Sequence, residues 1–365
     1  MKSIPSLCVA SVLLIGTGVM TSAASFAPQD PVAIPNTFDA GTPARASEVN
    51  ENFQALASGL NVNRALVDQN TQVLDELSAG RELVKFVAKS GAPFTSVAQA
   101  LASITDAAED RPYRVDVAPG IYDENVALSV PSFVRLAGAG AGTTVIRRAA
   151  GDSSQSSNAA VITLEDRAQL CDLSVQNPGS GSPFSICVLG VGLSMATQID
   201  RVECLADGAS GGSHFAFLFL DSNVVVRDSI GRAIGATVAN AGLQSINLSG
   251  QLNNLRIERC RFEADGGNTG VGMESTRTAA EIHDTYLFGS KHAIRAQIAG
   301  DTQVQGGTLR SLQEVMSQNG SGTMRLAGTK LSGLNPLGNA TGFSYVHCYK
   351  VNNAPVVNGF GSSIQ

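Results

Sequence analysis

One apolar position keeps returning along this chain and narrows what it can fold into. Leu170, Ile199, Val225, Ile257, Ile282, Val304 and Leu326 are separated by 29, 26, 32, 25, 22 and 22 residues. Five residues after each stand Val175, Cys204, Ile230, Phe262, Leu287, Leu309 and Leu331, all apolar or Cys. Three residues after each stand Leu173, Val202, Asp228, Cys260, Thr285, Gly307 and Thr329, most of them small or apolar. Inward residues an odd number of positions apart cannot lie on one face of a flat strand, so each unit must turn a corner. Units of this size cannot bury a core singly; stacking buries it between neighbours and sends length differences into loops. The composition agrees. Thirty-eight Gly, no Trp and 15% charged residues suit short strands and tight turns rather than a helix bundle. These units cover residues 165–335 and read as successive turns of a solenoid.

The segment ahead of the repeats carries a more specific likeness. Phe94-Thr-Ser-Val-Ala-Gln-Ala-Leu-Ala-Ser-Ile104 has the spacing of a short amphipathic helix, and Tyr113-Arg-Val-Asp-Val117 alternates as a strand. Then come Gly120-Ile-Tyr-Asp-Glu124, Leu136-Ala-Gly-Ala-Gly140 and Thr144-Val-Ile146. Residues 94–146 thereby resemble the opening of pectinesterases and other pectin-lyase-like proteins. The resemblance implies a right-handed parallel β-helix over residues 85–345, closed by a capping helix at 94–108, with Gly120 and Glu124 structural. It also has a limit. The Q-D-T-L, D-F-I-F-G and L-G-R-P-W motifs that carry the pectinesterase glutamines, aspartates and arginine are absent, so that activity is not expected. The tail from Phe343 to Phe360 is expected to leave the pattern and, over 346–365, to cover the last exposed edge.

Upstream the organisation changes. Lys2, the apolar run Val9–Met20 and the small residues Ser22-Ala-Ala24 form the pattern of a signal peptide cleaved near Ala24, residues 1–24. The run is short for a membrane span. Export to the medium or the cell surface is expected, with the periplasm as an option. Residues 25–47, rich in Pro, Ala, Thr and Ser, read as a linker. A helix follows over 48–84, with Ser47 as its expected cap. Taking steps of four and three from Val49 gives Val49, Phe53, Leu56, Leu60, Asn63, Val67, Asn70, Leu74 and Leu77, seven of nine apolar, which is the spacing of a coiled-coil seam. A buried amide is costly unless paired, so two Asn layers suit identical chains meeting in register. Val67-Asp-Gln-Asn70-Thr71 resembles a repeat in the stalks of trimeric autotransporter adhesins, which implies a homotrimer with an anion on its axis at Asn70 and Asn63. The alternative is a single amphipathic helix on its own body, with both Asn at its wet margin. Gly80 and Arg81 loosen the seam and set its end near Val84.

The chemistry is less legible. The net charge of −6 argues against a nucleic-acid partner, which needs a basic surface. No metal-ligand spacing and no cofactor motif appears, and five cysteines without a C-x-x-C read as buried free thiols. Two residues after the repeating position stand Asp172, Arg201, Arg227, Arg259 and Asp284. If Arg201, Arg227 and Arg259 stack, they form a basic ladder for an acidic polysaccharide or cell-surface glycan. The competing reading is a structural ladder neutralised by Asp200, Asp228 and Glu258. Pectate lyases use an arginine as base, so an eliminase is an option by likeness of fold. A paired-carboxylate glycosidase would draw on Asp200, Asp228, Glu258 and Asp284. His283-Asp284 reads as a turn pair, and Ser210–Leu220 as a buried strand. The leading expectation is a mainly β, trimeric surface or spike protein that contacts glycans without turnover. A polysaccharide lyase or hydrolase and a purely structural envelope protein are the alternatives.

Overall fold

The computed structural model describes residues 32–41, 43–78, 82–208, 211–333, 343–346, 348–350, 355–356 and 359–360. The expected signal peptide and the first part of the expected linker lie outside the described residues, as do Gly80 and Arg81. The chain divides into two compact units, one running to Leu74 and one from Asp75.

The first unit is built on a single helix, Ala46–Ser78. It begins one residue before Ser47, so Ser47 is helical and not its cap. Glu48 instead reaches back to accept the Arg45 N–H at 3.4 Å, half of a capping box. Residues 32–41 are not a free linker, since they run back along the helix. Asn36 N donates to Asn52 Oδ1 at 2.9 Å, and Asn52 Nδ2 donates to the Asn36 carbonyl at 2.8 Å. Gly59 makes room for Val32, whose methyl would meet an added Cβ at 2.4 Å. This strap covers the face carrying Glu48, Asn52 and Gly59. It leaves the neighbouring stripe open: Phe53, Leu56, Leu60 and Val67 are 66, 48, 70 and 62% exposed. The helix stops at Ser78, short of the expected end at Val84, because Leu83–Val87 is already a strand.

The second unit is a parallel β-helix of about ten turns. Each turn places one strand in each of three columns, called here the first, second and third sheets. The first two merge into one 21-stranded sheet, because Gln169–Asn177 and Gln198–Ala206 run unbroken through the corner between them; the third has eight strands. The register gives each sheet one inward ladder. In the first it is Val115, Leu136, Leu170, Ile199, Val226, Ile257, Ile282, Val304 and Leu326. In the second it is Tyr122, Ile146, Val175, Cys204, Gly231, Phe262, Leu287, Leu309 and Leu331. In the third it is Ile162, Val188, Phe217, Leu243, Met273, Ile294 and Met316. All of these, Gly231 included, are buried, so the lumen is a continuous apolar core.

The ladders correct one expected register. Val226, not Val225, aligns with Ile199 and Ile257. The one-residue slip turns the following strand over: Ile230 is 40% exposed, and Gly231 takes the inward place. The reason is Phe217. A Cβ on Gly231 would stand 2.9 Å from the ring atoms Cδ2 and Cε2 of Phe217 and 2.6 Å from the Gly242 carbonyl oxygen. The Phe217 ring, edge-on to Phe262 at 5.8 Å, fills the space a side chain would use.

Both ends are closed. The capping helix is Val97–Ala102, shorter than the expected 94–108, because Phe94 instead bridges to Val87 and Ser103 ends the helix. Ser96 caps its start. The buried Glu124 carboxylate accepts the Val97 N–H at 2.8 Å and the Ser96 hydroxyl at 2.9 Å. A carboxylate at a helix N-terminus satisfies donors the helix cannot, which makes Glu124 a structural residue. At the other end the pattern continues past its expected stop: Phe343–Val346 and Cys348–Lys350 add to the first and second sheets in parallel. Pro355–Val356 and Gly359–Phe360 then pair antiparallel to them, ending the coil by reversing it. Ser213–Leu220 is a fully buried strand, and Cys171, Cys187, Cys204, Cys260 and Cys348 are buried free thiols.

Packing of Phe217 over Gly231 yields a test. Gly231→Val, which restores the apolar repeat in sequence, should destabilise the protein by about 1–3 kcal/mol through overpacking. The urea midpoint reads this directly, and an unchanged midpoint would contradict the register.

Candidate functional site

The corner between the first and second sheets is a single residue in the left-handed conformation. Asp172, Arg201, Asp228, Arg259 and Asp284 occupy it on successive turns, with φ between 47° and 57°. Gly306 and Gly328 follow at 71° and 61°. The charges therefore alternate. Arg201 Nε donates to Asp172 Oδ1 at 2.5 Å and its Nη2 to Oδ2 at 2.7 Å. Arg259 makes the same fork on Asp228, both bonds 2.7 Å. Rungs are stacked about 4.8 Å apart, where like charges repel and unlike charges attract.

The three arginines do not form one column. Arg227 lies one position earlier, on the first sheet, aligned with Asp200 and Glu258. Its Nε donates to Glu258 Oε2 at 3.3 Å, and its Nη1 is 3.8 Å from Asp200. Glu258 also accepts from Arg256 at 2.5 Å. The expected basic ladder of Arg201, Arg227 and Arg259 is thus a pair of mixed-charge columns. The slip at Val225 is what aligned them on paper. Of the four carboxylates considered for hydrolysis, Asp200, Asp228 and Glu258 are ion-paired to arginine. Asp284 sits at the corner beside Gly306, which has no side chain to obstruct it. His283 lies in the strand before it, and its carbonyl accepts the Thr285 hydroxyl at 2.8 Å, a turn contact.

A second polar set was not legible in the sequence. On the outward side of the third sheet Gln244, Glu274 and Arg295 align on successive rungs, with Gln297 two residues further along. Glu274 accepts hydrogen bonds from Gln244 Nε2, at 2.9 Å, and from Gln297 Nε2, and Arg295 Nη1 lies 3.4 Å away. Gln244 is buried, and its Oε1 has no partner. Beside this set, burial, with Arg295 and Lys291 nearby, pushes His292 down to about 4. The arrangement holds one carboxylate among amides and a guanidinium, a set that can orient hydroxyl groups. The signal for it was a polar residue at one outward position of three strands, visible only once the register is known. In the first unit, Asn63 and Asn70 are exposed on the helix. Among the described residues no His, Cys, Asp and Glu cluster could hold a metal ion, and no helix is long and apolar enough to cross a membrane.

No family model matches the chain, and no curated protein matches it. Solved structures do. The Dettilon tailspike protein is 10% identical with a TM-score of 0.52, over 74% of this chain and 56% of the tailspike. Pectate lyase Pel9A is 15% identical with a TM-score of 0.49, over 76% of this chain and 79% of the lyase. A pectin methylesterase from carrot is 18% identical with a TM-score of 0.36, over 72% and 88%. At 10% identity the likeness to the tailspike shows the fold alone, a parallel β-helix.

The forked corner pairs have a pH signature. The Arg201 hydrogen bonds hold Asp172 below the usual carboxylate range. A depressed pKa contributes stability above the unfolded value of about 3.9 and loses it as pH falls through the folded value. Arg201→Gln should therefore cost about 0.5–1 kcal/mol at neutral pH, small because both partners are partly exposed. The gap to wild type should close as pH drops below about 4. Urea denaturation across pH measures it, and a gap that stays constant would contradict the pairing.

Proposed function

We propose that the chain is an exported, homotrimeric β-helix surface or spike protein that contacts glycans or another surface without turnover. The open stripe on the helix carries this reading. Phe53, Leu56, Leu60 and Val67 are large apolar side chains in coiled-coil phase, and the strap of residues 32–41 leaves them uncovered. Such a stripe is stabilised when identical helices close over it. Asn63 and Asn70 fall in the same stripe, where amides in register would select three chains and hold an anion on the axis. The signal-peptide pattern of residues 1–24 supports export. Absence of turnover is supported by the corner: Asp200, Asp228 and Glu258 are committed to arginines, so they lack the freedom that acid–base chemistry needs. Contact with glycans is supported by long outward sheet faces that carry polar, charged and aromatic side chains in register.

The enzymatic reading, a lyase or hydrolase on an acidic polysaccharide, rests on Glu274 and Arg295 on the third sheet. It predicts release of unsaturated or reducing ends from a uronate polymer.

Light scattering on the chain from Ser25 tests the leading reading. The expected mass is that of three chains, falling to one in Phe53→Glu with Leu60→Glu. A single-chain mass for the unmodified protein would overturn the trimer and return Asn63 and Asn70 to the margin of an ordinary helix.

A further inference from the structure

The outward face of the second sheet carries a feature that neither the corner ladder nor the lumen explains. Strand pairing aligns Arg232, Glu263, Phe288 and Arg310 on four successive rungs, and Ile230, Arg261 and Tyr286 beside them. Ile230 apart, these side chains line an open groove of about 320 Å³. Tyr286 and Phe288 are half-buried and lie two residues apart on one rung, pointing the same way. Each ring is stacked by an arginine from a neighbouring rung: the Arg261 guanidinium is 5.0 Å from the Tyr286 centroid, and that of Arg310 is 5.7 Å from the Phe288 centroid. Such stacking fixes the rings in place without using their polar edges.

The groups around the rings are mixed in kind. Arg261 is already forked on Glu263 at 2.8 and 2.6 Å, and Arg232 stands 3.9 Å from the same carboxylate. Arg310 has no ion pair among the described residues, so its N–H donors are available. Asp265 uses one oxygen on the Gly266 N–H at 2.8 Å, and its other oxygen can accept. The groove therefore offers the ring surface that the arginines leave uncovered, free donors on Arg310 and a free acceptor on Asp265, with nearly balanced charge. A polyanion would call for an unbalanced basic surface. A sugar polymer matches better: pyranose rings present an apolar C–H face to an aromatic ring, and their hydroxyls both donate and accept. Two residues of strand span about 6.5 Å, so a sugar chain running along the strand can reach both rings.

We propose that this groove is a binding subsite for an extended polysaccharide of neutral or sparsely charged sugars, running along the rung that carries Tyr286 and Phe288, with its rings on these two side chains and its hydroxyls on Arg310 and Asp265 of the neighbouring rungs. The inference deepens the glycan-contact reading above and rests on it. It replaces the arginine corner as the place of contact and an acidic polymer as the ligand.

The full chain, the double variant Tyr286→Ala with Phe288→Ala, and Arg310→Gln would be compared on an array of neutral and acidic polysaccharides, with thermal melts confirming that each variant folds. The unmodified chain is expected to bind at least one neutral polysaccharide, with affinity kept between about 0.1 and 1 M salt because little of it is Coulombic. The double variant should bind at least about tenfold more weakly, as expected for two lost ring contacts. Arg310→Gln should also weaken binding. Equal binding by folded variants would move the glycan site elsewhere and overturn this inference alone. Binding confined to polyanions and abolished by salt would overturn it as well. Failure of the unmodified chain to bind any polysaccharide would sink the glycan-contact reading together with it.

Discussion

On five successive rungs, from Asp172 to Asp284, a single residue in the left-handed conformation turns the first sheet into the second, and much of the solenoid follows from it. A corner this tight breaks the regular strand pairing and leaves backbone groups to satisfy. The residue after the corner does so on several turns. Ser229 Oγ donates to the Arg227 carbonyl at 2.6 Å and accepts the Val202 N–H, from the previous rung, at 3.1 Å. Thr285 Oγ1 donates to the His283 carbonyl and accepts the Cys260 N–H at 3.2 Å. Thr329 and Cys348 donate to the carbonyls two residues back in the same manner. On these turns each rung completes the hydrogen bonding of the one before it, in addition to covering its apolar ladder. That interdependence explains why small hydroxyl and thiol residues stand at this position, and why both ends of the coil need a dedicated closure.

The same corner sets what the surface can do. A left-handed backbone is unfavourable for side chains other than Gly, Asn and Asp, so Arg201 and Arg259 hold it against preference. Their forked bonds to Asp172 and Asp228 supply part of the compensation. The price of alternation is that this edge presents no excess charge to a ligand. Contact is left to the broad outward faces. The second sheet offers arginine-stacked rings around Tyr286 and Phe288, and the third offers the buried amides around Glu274. In the first unit, the strap of residues 32–41 and the stripe at Phe53–Val67 divide the helix into a face satisfied within the chain and an apolar face left exposed.

How much of this could be read from sequence depended on whether a signal was local or a matter of register. Inward ladders were legible because the lumen requires apolar residues on every turn, and the opening at Gly120–Glu124 was legible because a buried carboxylate and a helix start leave a motif. The slip at Val225 came from three successive valines, Val224 to Val226, that satisfy either register, and from Gly231, which conceals an inward position because Phe217 occupies its space. That slip alone created the stacked arginines. The polar set around Glu274 and the groove at Tyr286 stayed hidden for a related reason: their members are 20 to 30 residues apart in the chain and become neighbours only once the rungs are aligned. The helix end at Ser78 was missed because Val84 continues the seam spacing and also fits a strand.

The central claim is that the corner is an alternating structural ladder, with Arg259 facing Asp228 and Arg201 facing Asp172. Double-mutant cycles in unfolding free energy test it most directly, because they isolate the coupling between two side chains. Neutralising Asp172 and Arg201 singly and together, and likewise Asp228 and Arg259, should show favourable coupling within each pair, weakened by salt. The pair Arg201 and Arg227 should show little, since each is neutralised by its own carboxylates. Repulsive coupling among Arg201, Arg227 and Arg259, with none between the arginines and the aspartates, is the signature of a stacked basic column and would contradict the register on which the account stands.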